Sequence, residues 1–502
     1  MVSIKNLSNK IDQTKKFQII TLILVVVFLL KGWIYAIFVV PPAMGVAPDD
    51  MGHMSYVKFM INEKSLPILF ESTIDKVVYE SFLETEKGIW KNFALKQYFE
   101  PTETLNWIAQ HPPLYYLLIA PIYKMASFFT SDLSLILIAI RLFTLLLGAI
   151  TIIYLCKLSD LMNLKLWIKC CILCSFVFNL AIQWCFFNIT NDSLLILLST
   201  ATLYYLISYT STYNNKYFYM FIVFASLIVT TKYTGIILLV PYIVFFSYKE
   251  VSSNGFETFL QKTFSGIIIG IILTAPLLTW NYNLYGRFFP VAHSAIQNSK
   301  ADITMFHFLT HLSYFDDLYW NICGLLGWTS FARANIYIKM FMALFILISG
   351  VRGLKNVQKK SKIIIVIFST TFFIVQYIVC KFFFSTSLAS TSMLLLFLSA
   401  LLSIRKKRDK EIVALFVCTI IFYFVIMLSQ QYNLYLLFGQ MRGIQGRYYY
   451  ILFFPVSYLV FEQFNKIATK QMQAGSIAYI IAQIILEILF AKELFERTLL
   501  IS

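Results

Sequence analysis

Residues 112–129 read PPLYYLLIAPIYKMASFF, and whether they cross a membrane decides the fold of the whole chain. The segment opens on two prolines, is interrupted by Pro121 and carries Lys124. Its neighbours, residues 17–40 and 134–155, are longer apolar runs, each sufficient for a helix to cross a hydrocarbon core of roughly 30 Å. Short loops rich in Lys and Arg mark the cytoplasmic side of such a protein. Both the N-terminal tail (Lys5, Lys10, Lys15, Lys16) and the loop after residue 155 (Lys157, Lys165, Lys169) have that character. An even number of crossings must separate two cytoplasmic loops, so one of the three apolar segments does not cross. The interrupted one is assigned as an outer juxtamembrane or re-entrant helix, which a bilayer tolerates when the helix packs on protein.

Composition sets the class. Of 502 residues, 59% are apolar and 13% charged, and the mean hydropathy is +0.73. A soluble chain is nearer half apolar and a quarter charged, so the reading is an all-α polytopic membrane protein. The alternating pattern of a membrane barrel is missing. The net charge of +16 sits in short loops and reports orientation, not nucleic-acid binding. Residues 17–40 are too long for a signal peptide and are read as a retained anchor. The remaining spans fall near 134–155, 170–187, 193–211, 217–231, 233–248, 263–280, 335–350, 363–383, 388–404, 411–429, 448–464 and 475–490, about thirteen crossings in all. The N-terminus is then cytoplasmic and the C-terminus outside. Residues 1–16 form a tail, 17–290 a transmembrane module with outer loop 41–133, 291–334 a second outer loop, and 335–502 the C-terminal helices. Of the eight cysteines, Cys170, Cys171 and Cys174 form a close group inside an apolar run. No second pair stands at zinc-ribbon spacing, so helix packing accounts for them.

This topology collects the unusual polar groups on the outer side: Asp49, Asp50, His53, His111, Asn191, Asp192, Lys232, Arg287, His293, Asp316, Asp317, Arg442 and Arg447. Arg141 lies about two turns into its helix and can snorkel to the same surface. Carboxylates there can activate a hydroxyl, bind a cation or cap helices. Asp49 follows Pro48 and precedes a helical pattern, so capping and function both explain it. The cations either anchor span ends at the interface or hold a phosphate, which a guanidinium fork does well. Lys31, roughly mid-span, has no functional explanation in the sequence. No GxxxxGK[ST] loop, no GxGxxG after a strand and no HExxH is present. Acids, phosphate-friendly cations and no nucleotide fold suit a substrate that is itself membrane-borne, such as a lipid phosphate carrying an activated group.

The order of these motifs resembles the C-type superfamily of membrane glycosyltransferases (GT-C), which use polyprenyl-phosphate-linked sugars on the outer face of the membrane. The similar branch contains protein O-mannosyltransferases and the aminoarabinose transferases of lipid A. In this branch the first outer loop opens with Asp-Glu after proline. Here the stretch is Pro48-Asp49-Asp50-Met51-Gly52-His53, with Asp50 in place of the glutamate. The loop's later motif is His111-Pro112-Pro113-Leu114-Tyr115-Tyr116. Arg141-Leu142, Asn191-Asp192, Thr231-Lys232-Tyr233-Thr234-Gly235 and Gln445-Gly446-Arg447-Tyr448 follow in the family's order. The resemblance covers residues 1–290 well. Beyond them it rests on the Arg-Tyr motif and residues 315–328.

The resemblance implies a fold with outer juxtamembrane helices in the first loop, which agrees with the charge parity. It also implies an inverting transfer to a hydroxyl of a glycan, lipid or protein. Asp49 would be the general base, with Asp50 and Asp192 as the other catalytic acids. Some of Arg141, Lys232 and Arg447 would hold the phosphate. His53, His111, Tyr115, Asn191, Arg442 and Tyr448 complete the expected substrate-binding set. A divalent metal is left open and is not favoured, and no other cofactor is expected. The setting is a bacterial inner membrane. Two rivals predict other patterns. A transporter or flippase needs ionisable residues near mid-membrane and a repeated topology. A polymerase or ligase using lipid pyrophosphates places its dominant outer loop late in the chain, whereas here the largest is the first.

The topology is directly testable. Asp75→Cys should react with an impermeant thiol reagent added outside, and Asp160→Cys should not. Labelling at position 160 from outside overturns the assignment.

Overall fold

The computed structural model describes residues 2–39, 49–89, 105–291, 302–311, 407–439 and 445–465, with scattered positions between 344 and 399 and between 474 and 488. Among the described residues the regular structure is helical, apart from an isolated bridge between Thr73 and Leu105. The chain is an all-α polytopic membrane protein. Six described helices are long and apolar enough to cross a membrane. The spans expected at 335–350, 363–383, 388–404 and 475–490 lie largely outside the described residues, as does Arg442.

Helix α1 (Val2–Ile34) runs into a π-helical turn, Tyr35–Val39. The first loop then forms α2 (Asp50–Glu63), α3 (Lys76–Ile89), a 3₁₀ turn at Trp107–Gln110 and α4 (Leu114–Phe129). The bundle continues with α5 (Leu133–Leu161), α6 (Leu166–Val177), α7 (Leu180–Trp184), α8 (Asp192–Thr212), α9 (Asn215–Val229), α10 (Ile236–Asn254) and α11 (Phe256–Tyr285). Met305–His311 forms α12, Lys407–Phe438 α13 and Phe453–Asn465 α14.

The turns follow local chemistry. Asn214 ends the α8–α9 link by accepting from the Lys216 amide at 2.9 Å, an N-cap. Between α10 and α11 the backbone reaches φ 86° at Gly255, where a side chain would be strained. Helix α8 spreads its apolar and hydroxyl residues around its whole circumference, and 83% of its most apolar stretch is buried, against 6% for α11. The first is therefore the core of the bundle and the second its rim.

The residues 112–129 that fixed the parity form a helix of about 24 Å, shorter than a hydrocarbon core. Its Tyr115, Tyr116, Ile119 and Tyr123 are buried, while Leu117, Met125, Phe128 and Phe129 are exposed. Its first amide, from Leu114, donates to the Thr230 carbonyl at 3.0 Å, which pins it to the joint between α9 and α10. Asp75 accepts from Lys58 at 2.5 Å and fixes α3 to α2. The Tyr285 hydroxyl accepts from the Leu69 amide at 2.9 Å. The described parts of the first loop are thus packed onto one end of the bundle.

One expected span is divided. Residues 170–187 form α6 and α7 rather than a single helix, because Asn179 accepts from the Ile182 amide at 3.0 Å and starts a new helix. The carbonyl of Val177 at that break takes Lys31 Nζ at 2.6 Å and the Gln183 amide. Lys31 thus serves a helix C-terminus, where cations are favoured. At the other end of the bundle, Tyr209 donates to the buried Glu250 at 2.5 Å, and Lys249 pairs with Glu411 at 3.1 Å. These contacts tie α8, α10 and α13 together.

Gly148 on α5 sets how closely α1 approaches. A Cβ there would lie 2.4 Å from Phe28 Cζ and 3.0 Å from Phe186 Cγ, and Phe28 is fully buried between Phe176 and Phe186. Gly148→Ala should cost about 1–3 kcal/mol by overpacking, read as a lower thermal midpoint in detergent. Gly270→Ala, whose Cβ would meet only Ser226 Oγ at 3.8 Å, should be neutral. Equal midpoints for the two variants would contradict the packing.

Candidate active site

Four elements bring charge to the loop-covered end. Asp49 precedes α2, Asp192 opens α8, Lys232 lies between α9 and α10, and Arg447 sits in the 3₁₀ turn Gly446–Leu452 that leads into α14. Lys232 Nζ donates to Asp192 Oδ1 at 2.6 Å. Arg447 Nη2 donates to Asp49 Oδ2 at 2.5 Å, and its Nε faces Asp192 Oδ2 at 3.5 Å. The Thr190 hydroxyl donates to Asp192 Oδ2 at 3.2 Å. Two carboxylates and two cations therefore alternate in a neutral cluster. Neutrality matters because Asp192 is only 2% exposed and Arg447 13%, and a buried charge is costly unless it is paired.

The ring of Tyr448 lies under both cations, 4.8 Å from Lys232 Nζ and 5.6 Å from Arg447 Cζ, within cation–π range. Its carbonyl accepts from the Tyr423 hydroxyl at 2.8 Å. Tyr448 thus orients the cations from below.

Asp49 has φ 65° and makes no side-chain cap bond to α2. A left-handed backbone at a non-glycine costs roughly 1–2 kcal/mol. Of the two explanations that the sequence left open, capping is not what holds this side chain. Its carboxylate turns to Arg447 and remains 39% exposed.

Asp50 goes elsewhere. It is buried, and its charge acts on Arg141, whose Nη1 donates to the Ala36 carbonyl at 3.0 Å. Arg141 is 1% exposed, so it does not snorkel to an open surface: α2 and the π-helical turn cover it. The structure therefore sorts the expected acids into an exposed Asp49, a buried Asp192 and a separate buried Asp50.

Beneath the cluster lies an aromatic layer. His53 Nδ1 is 2.8 Å from the Tyr116 hydroxyl, and Tyr116 stacks on Tyr56 with centroids 3.7 Å apart. His53 also stacks with His111 at 6.3 Å. Burial, followed by the charges of Arg447 and Lys232, pushes His53 down to about 3. Burial likewise holds His111 well below its usual value. Both imidazoles are neutral at pH 7, so they add no positive charge to a cluster already balanced. The Tyr115 hydroxyl accepts from the Thr190 amide at 3.0 Å and so fixes the turn that carries Asp192. The Asn191 amide reaches the Thr231 carbonyl at 3.5 Å, and its own carbonyl oxygen is buried without a hydrogen bond.

Tyr56, Thr190 and Tyr423 were not singled out by sequence. Thr190, next to the Asn-Asp pair, carried the one usable signal. Among the described residues no group of three or more His, Cys, Asp or Glu is placed to hold a metal ion. Between Asp49 and Asp192 stands the Arg447 guanidinium, so this donor set does not suit a divalent cation.

Residues 110–280 match the family model described as dolichyl-phosphate-mannose-protein mannosyltransferase. The matched stretch contains His111, Tyr115, Arg141, Asn191, Asp192 and Lys232, while Asp49 and Arg447 lie outside it. No curated protein matches the chain. The crystal structure of ArnT from Cupriavidus metallidurans bound to undecaprenyl phosphate aligns over 89% of this chain and 78% of that one. It does so at 13% identity and a TM-score of 0.35, too loose a superposition to transfer fold or role. Through residues 110–280 the chain is similar to the dolichyl-phosphate-mannose-protein mannosyltransferases, which supports the GT-C glycosyltransferase reading of its motifs.

Proposed function

We propose that this protein moves a sugar from a polyprenyl-phosphate donor to a hydroxyl acceptor at the outer face of the membrane, with inversion. The observation that carries the reading is the cluster of Asp49, Arg447, Asp192 and Lys232. It combines a strained, partly exposed carboxylate with two cations held side by side by a buried acid. Asp49 takes the acceptor's proton as the acceptor oxygen bonds to the anomeric carbon. The bond from that carbon to the phosphate oxygen breaks, and its electron pair leaves with the lipid phosphate. Arg447 and Lys232 hold the charge that gathers there, as preorganised cations do for a leaving phosphate. Asp192 keeps the cations in place. The outer assignment is supported by the opposite end of the bundle, which carries Lys157, Lys165, Lys169, Lys249, Lys262 and Lys410, the signature of a cytoplasmic face. Arg141 with Asp50 shapes the wall beside the base, and residues 291–334 are assigned to acceptor choice.

Transfer from labelled polyprenyl-phosphate sugars into membranes containing the protein tests this reading. Asp49→Asn keeps the size and the left-handed backbone but cannot take the proton, and should cut transfer by about 10²–10⁴-fold with normal expression. Arg447→Lys keeps charge but loses the fork. Charge-assisted bonds of about 1.5–3 kcal/mol make that roughly 10- to 150-fold in donor use. Arg405→Lys, in the cytoplasmic basic cluster, is the matched control and should have no effect. Near-normal transfer by Asp49→Asn would exclude it as the base, and an Arg447→Lys indistinguishable from Arg405→Lys would make Arg447 an interfacial anchor.

A further inference from the structure

Both cations available to a phosphate are already engaged by carboxylates. Lys232 is held by Asp192 at 2.6 Å and Arg447 by Asp49 at 2.5 Å. A phosphate seated on the guanidinium must therefore displace a carboxylate or share with one. The two acids differ in how firmly they are fixed. Asp192 is 2% exposed and takes Lys232 and the Thr190 hydroxyl as well. Asp49 is 39% exposed, takes Arg447 through one oxygen and stands on a left-handed backbone. Asp49 is the acid that gives way.

Resting on the function proposed above, we infer that the donor's phosphate replaces Asp49 on Arg447, so that seating the donor releases the base. Carboxylate and phosphate present similar oxygen pairs to a guanidinium fork, and Asp49 marks the position that a phosphate oxygen takes. While it is bonded to the guanidinium, Asp49 has one carboxylate oxygen occupied and not open to an acceptor hydroxyl. The exchange therefore sets an order. Donor binding comes first, and the acceptor hydroxyl meets an unpaired Asp49 only when a sugar is in place. Asp192 and Tyr448 hold Lys232 and Arg447 through the exchange, so the cations do not drift when one partner is replaced by another.

Binding of a polyprenyl monophosphate, which carries the phosphate without a sugar, tests this on the full chain in nanodiscs. Four proteins are compared: wild type, Asp49→Asn, Arg447→Gln and the double variant. Removing the competing carboxylate should tighten binding roughly tenfold, the scale of one charge-assisted hydrogen bond. Arg447→Gln should weaken binding by about tenfold or more, and adding Asp49→Asn to it should change nothing further. Should Arg447→Gln fail to fold, Arg447→Lys takes its place in the cycle, and the single Asp49→Asn measurement stands by itself. Unchanged or weaker binding by Asp49→Asn overturns the exchange while leaving the phosphate seat intact. Equal tightening in both Arg447 backgrounds also overturns it, since general charge repulsion then accounts for the effect. An Arg447→Gln protein that binds like wild type would instead remove the phosphate seat, and with it the function on which the inference rests.

Discussion

A carboxylate buried at the start of a central helix has to be paired, and Asp192 meets that requirement with Lys232 on one oxygen and Arg447 facing the other. Much of the site follows from this constraint. The two cations reach Asp192 from elements far apart in sequence, the joint after α9 and the 3₁₀ turn before α14. Once fixed there, they lie within 4.8 and 5.6 Å of the centre of the Tyr448 ring. Asp49 arrives from the first loop and completes the charge balance. A transmembrane bundle gains little from interhelical hydrophobic burial, because lipid is as apolar as the helices. Polar closures of this kind therefore carry an unusual share of the specificity.

The aromatic layer extends the same logic. His53 and His111 are kept neutral by burial and by the neighbouring cations. A protonated imidazole there would add a third positive charge to a cluster with two acids. Tyr115 belongs to this layer too, since its hydroxyl bonds the Thr190 amide and so acts on the turn that places Asp192. Residues expected to touch substrate thus divide into an exposed acid with two cations and a buried set that positions them.

The class of fold was legible because apolar length and loop charge are one-dimensional signals. The start of a helix after Pro112 and Pro113 was legible from the two prolines, and that helix is 16 residues long. The division of residues 170–187 was less so, because what satisfies the break is Lys31, distant in sequence and reaching Val177 across the bundle. Asp49, Asp192, Lys232 and Arg447 were nameable from their motifs, but their pairing was not. Arg447 and Asp49 are separated by 398 positions, and sequence spacing says nothing about which acid takes which cation. Arg141 illustrates the same limit. Its depth in the helix suggested a snorkelling cation, whereas the covering loop turned it into a buried partner of Ala36 and Asp50.

The central claim is that Lys232 and Arg447, held by Asp192, seat the phosphate of a lipid-linked donor. A cryo-EM structure of the full chain in nanodiscs with a polyprenyl phosphate tests it most directly. The account predicts phosphate oxygens within about 3 Å of Arg447 and Lys232 nitrogens, with Asp192 still paired to Lys232. A phosphate bound instead at Arg141, or at the lysine-rich end of the bundle, with Lys232 and Arg447 untouched, would contradict it.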